Sequence, residues 1–184
     1  MALRIVREFS IPNAIDLTIV PMRRRHLPSV LQIENASFPR PWTLALFISE
    51  LSQRDRVYRV ARVDRKVVGY CGLIITDGQG HVTNIAVDPQ WQRLKIGTSL
   101  ILDLCRAAIQ RGAKRMTLEV RVSNRSAQSL YYKFGFYPAG IRKNYYPETR
   151  EDGLVMCADD IHSPLYKARL DTIERDITAN KESE

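Results

Sequence analysis

A chain of 184 residues is about the length of one domain, and it is too long to depend on disulfide bonds for stability. Its content of 45% hydrophobic and 26% charged residues is typical of a soluble globular protein and excludes a disordered or fibrous class. No apolar run approaches the roughly 20 residues of a membrane span, and the first residues lack the apolar core of a signal peptide. We therefore expect a cytoplasmic protein with no membrane partner.

The three cysteines and three histidines do not follow a metal-binding pattern. Cys71, Cys105 and Cys157 are widely separated and have apolar neighbours, so we predict that they are buried as small hydrophobic side chains. The histidines are equally scattered, whereas zinc sites use closely spaced pairs of ligands. We expect no metal, and a Cys–His nucleophile pair assembled by the fold stays open as an alternative.

The net charge of +8 comes from 28 basic and 20 acidic residues and is unevenly distributed. Basic clusters lie at 23–25, 54–66 and 111–125, without an aromatic stacking motif or a helix-turn-helix pattern. Such charge indicates either a polyanionic partner or a well-solvated surface. We expect solvated surface for each cluster, and whether residues 23–25 contact RNA stays open.

Apolar periodicity predicts strands and helices along the chain. A short strand over Leu17–Val20 precedes a helix over Leu27–Ala36, and Thr43 is placed to cap a second helix. The order then continues with hairpin strands over 57–63 and 67–76, a strand over 81–87, a helix that ends at Gly112, a strand over 116–120, a helix over 127–134 and strands over 137–145 and 154–158.

Both ends of the chain are predicted to lie outside the domain. We assign residues 1–16 to an N-terminal extension, 17–160 to one domain and 161–184 to a C-terminal tail that can form a helix. One side of that helix carries the apolar residues Tyr166, Leu170, Ile173 and Ile177. We expect a weakly ordered surface helix that frays into Lys181–Glu184, with docking on the domain as the alternative.

The segment Asn84–Thr98 joins the strand over 81–87 to the next helix through a sharp turn at Asp88 and Pro89. A helix start leaves several backbone N–H groups without partners and carries the positive end of the helix dipole. Such a place suits a phosphate group. A plain connection without a ligand explains the segment equally well.

Further segments remove that ambiguity. They are Asn84–Pro89 (NIAVDP), Gln92–Gly97 (QRLKIG), Leu118–Asn124 (LEVRVSN), Leu130–Tyr131, Phe134–Phe136 (FGF), Asn144–Pro147 (NYYP), and Glu151–Asp152 with Met156. In this order and spacing, residues 17–160 resemble the GNAT acetyltransferase superfamily, specifically its ribosomal-protein-alanine N-acetyltransferase (RimI-like) branch. The resemblance implies one α/β (α+β) acyl-CoA N-acyltransferase domain with a mixed, mostly antiparallel central sheet flanked by helices.

The resemblance implies acetyl-CoA as cosubstrate and a set of residues that hold it. Backbone groups of Ile85, Ala86 and Val87 would pair with the pantetheine arm, although simple strand packing explains the same residues. Asn124 would bind the arm further along, or would only cap the following helix. The residues implied to surround the pyrophosphate are Arg93, Leu94, Lys95, Ile96, Gly97 and Thr98.

Lys95 departs from the family pattern, which has glycine at that position. Glycine permits a positive φ and a close approach of the backbone to the pyrophosphate. Lys95 therefore adopts an ordinary helical conformation or weakens the site, and its ammonium can offset a loss of space by pairing with phosphate. We expect that acetyl-CoA still binds.

The same resemblance implies two catalytic side chains. Glu119 corresponds to the general base, acting through water on an amine whose pKa is near ~8. From the residues alone, an ion pair with Arg121 or Arg125 is the alternative. Tyr131 corresponds to the general acid for the CoA sulfur. A buried aromatic side chain without a catalytic role is the alternative, and the neighbouring Tyr132 is the other tyrosine that could be assigned this role. Backbone N–H groups near Val87 would support the oxyanion.

The acceptor end is expected at Phe38 and Pro39 and at Tyr145 and Tyr146, because aromatic walls suit a small first side chain. Loop packing is the alternative. The acidic residues Glu151 and Asp152 are candidates for binding a basic peptide.

The resemblance implies acetylation of the N-terminal α-amine of a protein, with alanine of a small-subunit ribosomal protein as the expected acceptor. Partners would be acetyl-CoA and that N-terminus, and nucleic acid is not required. Alternatives are other N-termini, lysines or small amines, or a non-catalytic CoA-binding or ribosome-associated module.

Overall fold

A computed structural model describes residues 7–11 and 15–179. Their strands form one eight-stranded sheet in the order β1-β2-β3-β4-β5-β6-β8-β7. The strands are β1 Arg7–Ile11, β2 Ile15–Pro21, β3 Arg56–Val63, β4 Lys66–Thr76, β5 Gln79–Val87, β6 Arg115–Arg121, β7 Tyr137–Tyr146 and β8 Glu151–Ala158. β5 and β6 pair in parallel, and every other neighbouring pair is antiparallel. The predicted mixed, mostly antiparallel sheet is confirmed.

Helices cover both faces of this sheet. They are α1 Leu27–Ser37, α2 Leu44–Ser52, α3 Ile96–Gln110, α4 Arg125–Lys133 and α5 Pro164–Thr178. One apolar cluster lies under α1 and α2 and includes Phe47 and Tyr70. A larger cluster lies under α3 and α5 and includes Leu100 and Leu104. The sheet therefore separates two cores, and both contribute walls to the site described below.

Local sequence features set several of the predicted boundaries. The Thr43 hydroxyl caps α2 by accepting the N–H of Leu46 at 3.3 Å. Gly112 has φ +79° after the end of α3, a conformation that glycine adopts readily. Cys71, Cys105 and Cys157 are all buried, as predicted. The order of strands and helices predicted within 17–160 is thus confirmed.

The two ends of the chain add elements to this order. β1 pairs with β2 and makes the sheet one strand wider than the predicted pattern. The tail forms α5, which lies against α3 and β1. The expectation of a weakly ordered surface helix is wrong for residues 164–178, because its four predicted apolar residues are buried. The predicted fraying at Lys181–Glu184 lies outside the described residues, and the domain boundaries stay predictions.

No helix among the described residues is long and apolar enough to cross a membrane.

Candidate active site

The site begins where β5 and β6 separate. Their parallel pairing covers only residues 79–81 and 115–117. A β-bulge at Thr83 follows the last residue of β5 that pairs with β6, since Leu73 of β4 pairs with Val82 and Gly72 pairs with Asn84. A methyl group on Gly72 would overlap Tyr58 and Thr83, so the bulge needs glycine opposite it. A cavity of about 580 Å³ lies between the separated strands.

The three predicted residues on β5 after the bulge are Ile85, Ala86 and Val87, and their side chains alternate between the two cores. Ala86 is buried in the cluster under α1 and α2, whereas Ile85 and Val87 pack on the cluster under α3. Ile85 also lines the cavity. Beyond His81, β5 has no further pairing with β6 in the part of the chain that the structure describes, so the edge of β5 at these residues faces the gap between the strands.

The turn from β5 to α3 contains two non-glycine residues in the left-handed region. Arg93 has φ +66° and Lys95 has φ +57°. Lys95 is the N-cap residue of α3 and makes no side-chain cap. The expectation of an ordinary helical conformation at Lys95 is therefore wrong: it occupies the conformation that the family's glycine would adopt without strain.

The ammonium of Lys95 is bonded to the C-terminal helix. Its Nζ donates to the backbone carbonyl of Asp176 in the last turn of α5, at 2.5 Å. The backbone carbonyl groups in the last turn of a helix have no N–H partner within the helix. The side chain thus caps α5 while its backbone forms the start of α3.

The other predicted turn residues differ in accessibility. Ile96 is 1% exposed and belongs to the core under α3, so only its backbone faces the turn. Leu94, Gly97 and Thr98 are half-buried, and Arg93 is exposed. A methyl group on Gly97 would make only ordinary contacts, with Leu130 at 3.6 Å and Val87 at 3.8 Å.

Glu119 on β6 points into the cavity, and its side chain is only 5% exposed. Its two carboxylate oxygens lie 3.2 Å from His81 Nε2 and 3.3 Å from an Arg142 guanidinium nitrogen. The alternative ion pair with Arg121 or Arg125 is not formed. Arg121 instead pairs with Glu148 at 2.7 Å.

The surroundings of Glu119 favour its ionised form. The hydrogen bond from His81 lowers the pKa of Glu119, burial opposes that effect, and the charges of His81 and Arg142 lower it further. His81 is itself oriented by Thr117, whose Oγ1 lies 2.9 Å from Nδ1. Glu119 is therefore a charged, oriented carboxylate at the wall of a cavity.

Tyr131 lies on α4 and lines the same cavity. It is 6% exposed, and its ring packs on Phe136 with centroids 5.9 Å apart. Burial raises the pKa of the Tyr131 hydroxyl, so it stays protonated at neutral pH. Tyr132, by contrast, is 46% exposed.

Asn124 has the capping role that its sequence context suggests, and its role toward the pantetheine arm stays a prediction. Its Oδ1 accepts the N–H of Ala127 at 3.1 Å and caps α4. Asn124 also lines the cavity.

All four predicted acceptor residues line the cavity: Phe38, Pro39, Tyr145 and Tyr146. The rings of Tyr145 and Tyr146 are perpendicular with centroids 5.1 Å apart. The Arg121 guanidinium lies 4.0 Å from the Tyr146 ring centre. Burial raises the pKa of Tyr146 to about 12.

The proposed acidic binders Glu151 and Asp152 are engaged elsewhere. Asp152 accepts from Lys143 Nζ at 2.7 Å and from the N–H of Asn144 at 3.0 Å. Glu151 accepts from the hydroxyl of Ser123. Neither residue lines the cavity. Asp152 bonds within the β7–β8 hairpin and Glu151 bonds to the connection between β6 and α4, so the cavity does not support a role in binding a basic peptide, which stays a prediction.

Sequence reasoning missed several polar residues of the cavity wall, among them His81, Asn84 and Glu34. Glu34 is 1% exposed; it accepts the N–H of Trp42 at 2.8 Å and the hydroxyl of Tyr70. Burial raises its pKa. A carboxylate inside the apolar stripe of α1 was the available signal for Glu34, but His81 and Asn84 carry no comparable local signal.

Comparisons with known proteins agree with this geometry. The profile of the Acetyltransferase (GNAT) family matches residues 27–136. A provisionally named [ribosomal protein bS18]-alanine N-acetyltransferase of Bacillus subtilis (strain 168) is 41% identical over 136 residues, which are 73% of this chain and 90% of that protein. The [ribosomal protein bS18]-alanine N-acetyltransferase of Escherichia coli (strain K12) is 34% identical over 141 residues, covering 76% and 95%.

Solved structures give the same result. The crystal structure of the ribosomal-protein bS18 alanine N-acetyltransferase from Escherichia coli superposes with a TM-score of 0.73 at 32% identity, covering 78% of this chain and 94% of that one. A PaiA N-acetyltransferase from Thermoplasma acidophilum in complex with coenzyme A, at 16% identity and a TM-score of 0.66, shares the fold. With its split sheet, cavity and matched residues, the chain belongs to the GNAT acetyltransferase family.

Proposed function

We propose that this acetyltransferase transfers the acetyl group of acetyl-CoA to the N-terminal α-amine of a protein, with alanine of a small-subunit ribosomal protein as the acceptor. The observation that carries the proposal is the single cavity lined by Glu119, Tyr131 and the aromatic residues Phe38, Tyr145 and Tyr146. The names of relatives at 41% and 34% identity support the same acceptor.

The residues present suit acetyl-CoA. β5 beyond the bulge has an edge without a strand partner toward β6, which matches the amide groups of a pantetheine arm. The exposed Arg93 and the N-terminus of the 15-residue helix α3 are suited to a pyrophosphate. In this proposal Ile85, Ala86, Val87 and Asn124 hold the arm, and residues 93–98 hold the phosphates. Acetyl-CoA supplies the activated acetyl thioester.

Glu119 is proposed as the general base. Its hydrogen-bonded and paired carboxylate stays ionised at the pH where an N-terminal ammonium, with an ordinary pKa near ~8, must lose a proton. A carboxylate of lowered pKa is a weak base, and that is sufficient because the amine needs little help. The proton passes from the amine to Glu119 through water.

Tyr131 is proposed as the general acid. A hydroxyl that burial keeps protonated is a suitable donor to the departing CoA thiolate. Tyr131 and Glu119 lie on different elements that line the same cavity, so one cavity holds both the proposed acid and the proposed base. Backbone N–H groups near Val87 are proposed to stabilise the oxyanion.

The acceptor wall is proposed to select a small first side chain. Phe38 and Pro39 come from the loop after α1, and Tyr145 and Tyr146 from the end of β7. Glu34 fixes the first pair through Trp42, and Arg121 fixes the second through its contact with Tyr146. The carboxylates of Glu119 and Glu148 on the lining are both paired with arginine side chains.

The test measures thiol release from acetyl-CoA with peptides that begin with alanine, serine or methionine, and locates the acetyl group by mass spectrometry. The expected result is fastest turnover with the alanine peptide and acetylation at its α-amine. Acetylation of lysine or of small amines instead would overturn the acceptor assignment. Binding of acetyl-CoA without thiol release to any acceptor would favour a non-catalytic module.

A further inference from the structure

Asn84 has a buried amide oxygen without a partner. The residue is 9% exposed, directly follows the bulge on β5 and lines the cavity. Its Oδ1 is almost fully buried and has no hydrogen-bond partner among the described residues. Unpaired buried acceptors destabilise a folded protein, and most of them are explained by a ligand, a water or a functional role.

The side chain of Asn84 lies on the acceptor face of the sheet. Residues 84–87 pair regularly with β4, so their side chains alternate between the two faces. Ala86 is in the core under α1 and α2, whereas Ile85 and Val87 pack toward α3. Asn84 therefore shares the face of Ala86, on the side of α1 and its following loop with Phe38.

An amide oxygen can only accept hydrogen bonds, so its ligand must carry an N–H or O–H donor. The aromatic wall and Glu119 border the same cavity, and the acceptor of this reaction is itself an amine. We propose that Asn84 Oδ1 accepts a hydrogen bond from the N-terminal amino group of the acceptor and so holds its nitrogen between Asn84 and Glu119. This inference rests on the proposed function.

The decisive variant is Asn84→Leu, which keeps the side-chain size and removes the acceptor. We expect the KM for the alanine peptide to rise about tenfold, because the variant loses one hydrogen bond to the peptide. The Kd of acetyl-CoA should stay within about twofold, because the cofactor edge of β5 uses backbone groups. The Tm should stay constant or rise, because an unpaired buried oxygen is replaced by an apolar group.

Gln128 is a matched control for the stability measurement. It is another buried amide, 3% exposed, but its Nε2 donates to the carbonyls of Arg121 and Val122, each at 3.0 Å. Gln128→Leu should lower the Tm, because it leaves both carbonyls without that donor. A Tm that rises in Asn84→Leu and falls in Gln128→Leu would indicate that Asn84 has no structural partner.

Three results would overturn the inference. A Tm that falls in Asn84→Leu as it does in Gln128→Leu, with an unchanged peptide KM, would make Asn84 structural. Weaker acetyl-CoA binding with an unchanged peptide KM would assign the oxygen to the cofactor. An unchanged peptide KM in both Asn84→Leu and the smaller Asn84→Ala would show that Asn84 makes no hydrogen bond to the acceptor. If the wild-type protein acetylates no peptide α-amine, the proposed function fails, which is a separate outcome.

Discussion

The proposed cofactor half and the proposed acceptor half of the site are built differently. The cofactor half, as proposed above, is mainly one continuous stretch, residues 85–98, which borders the cavity at Ile85 and consists of a strand edge, a turn and a helix start. The acceptor half is assembled from side chains on the loop after α1, on β5, on β6 and on the β7–β8 hairpin. The first half depends on local conformation, whereas the second depends on tertiary contacts between distant segments.

This difference separates two kinds of mutational effect. Changes in the acceptor half should alter turnover and the KM for the peptide, because its side chains face the reacting groups. Most single substitutions in the cofactor half should have only a small effect on acetyl-CoA binding, because the proposed contacts are made mainly by backbone groups. The following variants test that distinction.

The largest effect is expected for Glu119→Gln. We expect kcat/KM to fall about 10³-fold at pH 7, because the general base is lost. The pKa of Glu119 is lowered by His81, so the wild-type carboxylate is lost only as the pH falls through that lowered value. The variant should regain about tenfold in activity as the pH rises past ~8, because the neutral amine rises from about one-tenth of the total at pH 7 to most of it. A constant defect from pH 6 to pH 9 would contradict the role; Glu151→Gln, outside the cavity, is the control.

Tyr131→Phe should lower kcat about 10²-fold by removing the general acid, with no change in the Kd of acetyl-CoA. The matched control is Tyr132→Phe, the neighbouring tyrosine that is 46% exposed. Steady-state kinetics and calorimetric titration measure the two quantities. Equal kcat values for both variants would remove Tyr131 from the mechanism.

Glu34→Ala should lower the free energy of unfolding by about 2 kcal/mol, since it leaves the Trp42 N–H and the Tyr70 hydroxyl unpaired. The peptide KM should rise while acetyl-CoA binding is unchanged. Because burial raises the pKa of Glu34, the wild-type protein loses stability as the pH rises through that value. Urea unfolding at several pH values should show that loss in the wild type and in Gln32→Ala, an exposed control on α1, and not in Glu34→Ala.

The smallest effect is expected in the cofactor half, at Lys95. Lys95→Gly and Lys95→Ala both remove the bond to Asp176, but only glycine relieves the positive φ of +57°. The glycine variant should therefore be more stable than the alanine variant by about 1 kcal/mol in urea unfolding. Equal stabilities would mean that this backbone conformation costs nothing.

The same contrast explains how far sequence reasoning reaches. Apolar periodicity and turn residues are local signals, so the elements between 17 and 160 and the cap at Thr43 were predictable. The resemblance placed Glu119, Tyr131 and the four acceptor residues on one cavity, which the structure confirms as an arrangement; their roles stay predictions.

What failed depended on distant parts of the chain. An ion pair of Glu119 with Arg121 or Arg125 was the alternative from the residues alone, but the β7–β8 hairpin brings Glu148 to Arg121 and Arg142 to Glu119. The positive φ of Lys95 was not evident, because lysine rarely adopts it and the compensating contact comes from Asp176. β1 was missed because its pairing with β2 is defined only in the folded sheet.

The bond between Lys95 and Asp176 thermodynamically links the C-terminal helix α5 to the turn between β5 and α3. A ligand that draws the ammonium of Lys95 toward itself uncaps the last turn of α5, and loosening of that turn frees the ammonium, with the same coupling free energy in both directions. The last turn of α5 lies outside the matched residues 27–136. Variation in a segment remote from the cavity in sequence can thereby tune cofactor affinity without altering a single residue of the cavity wall.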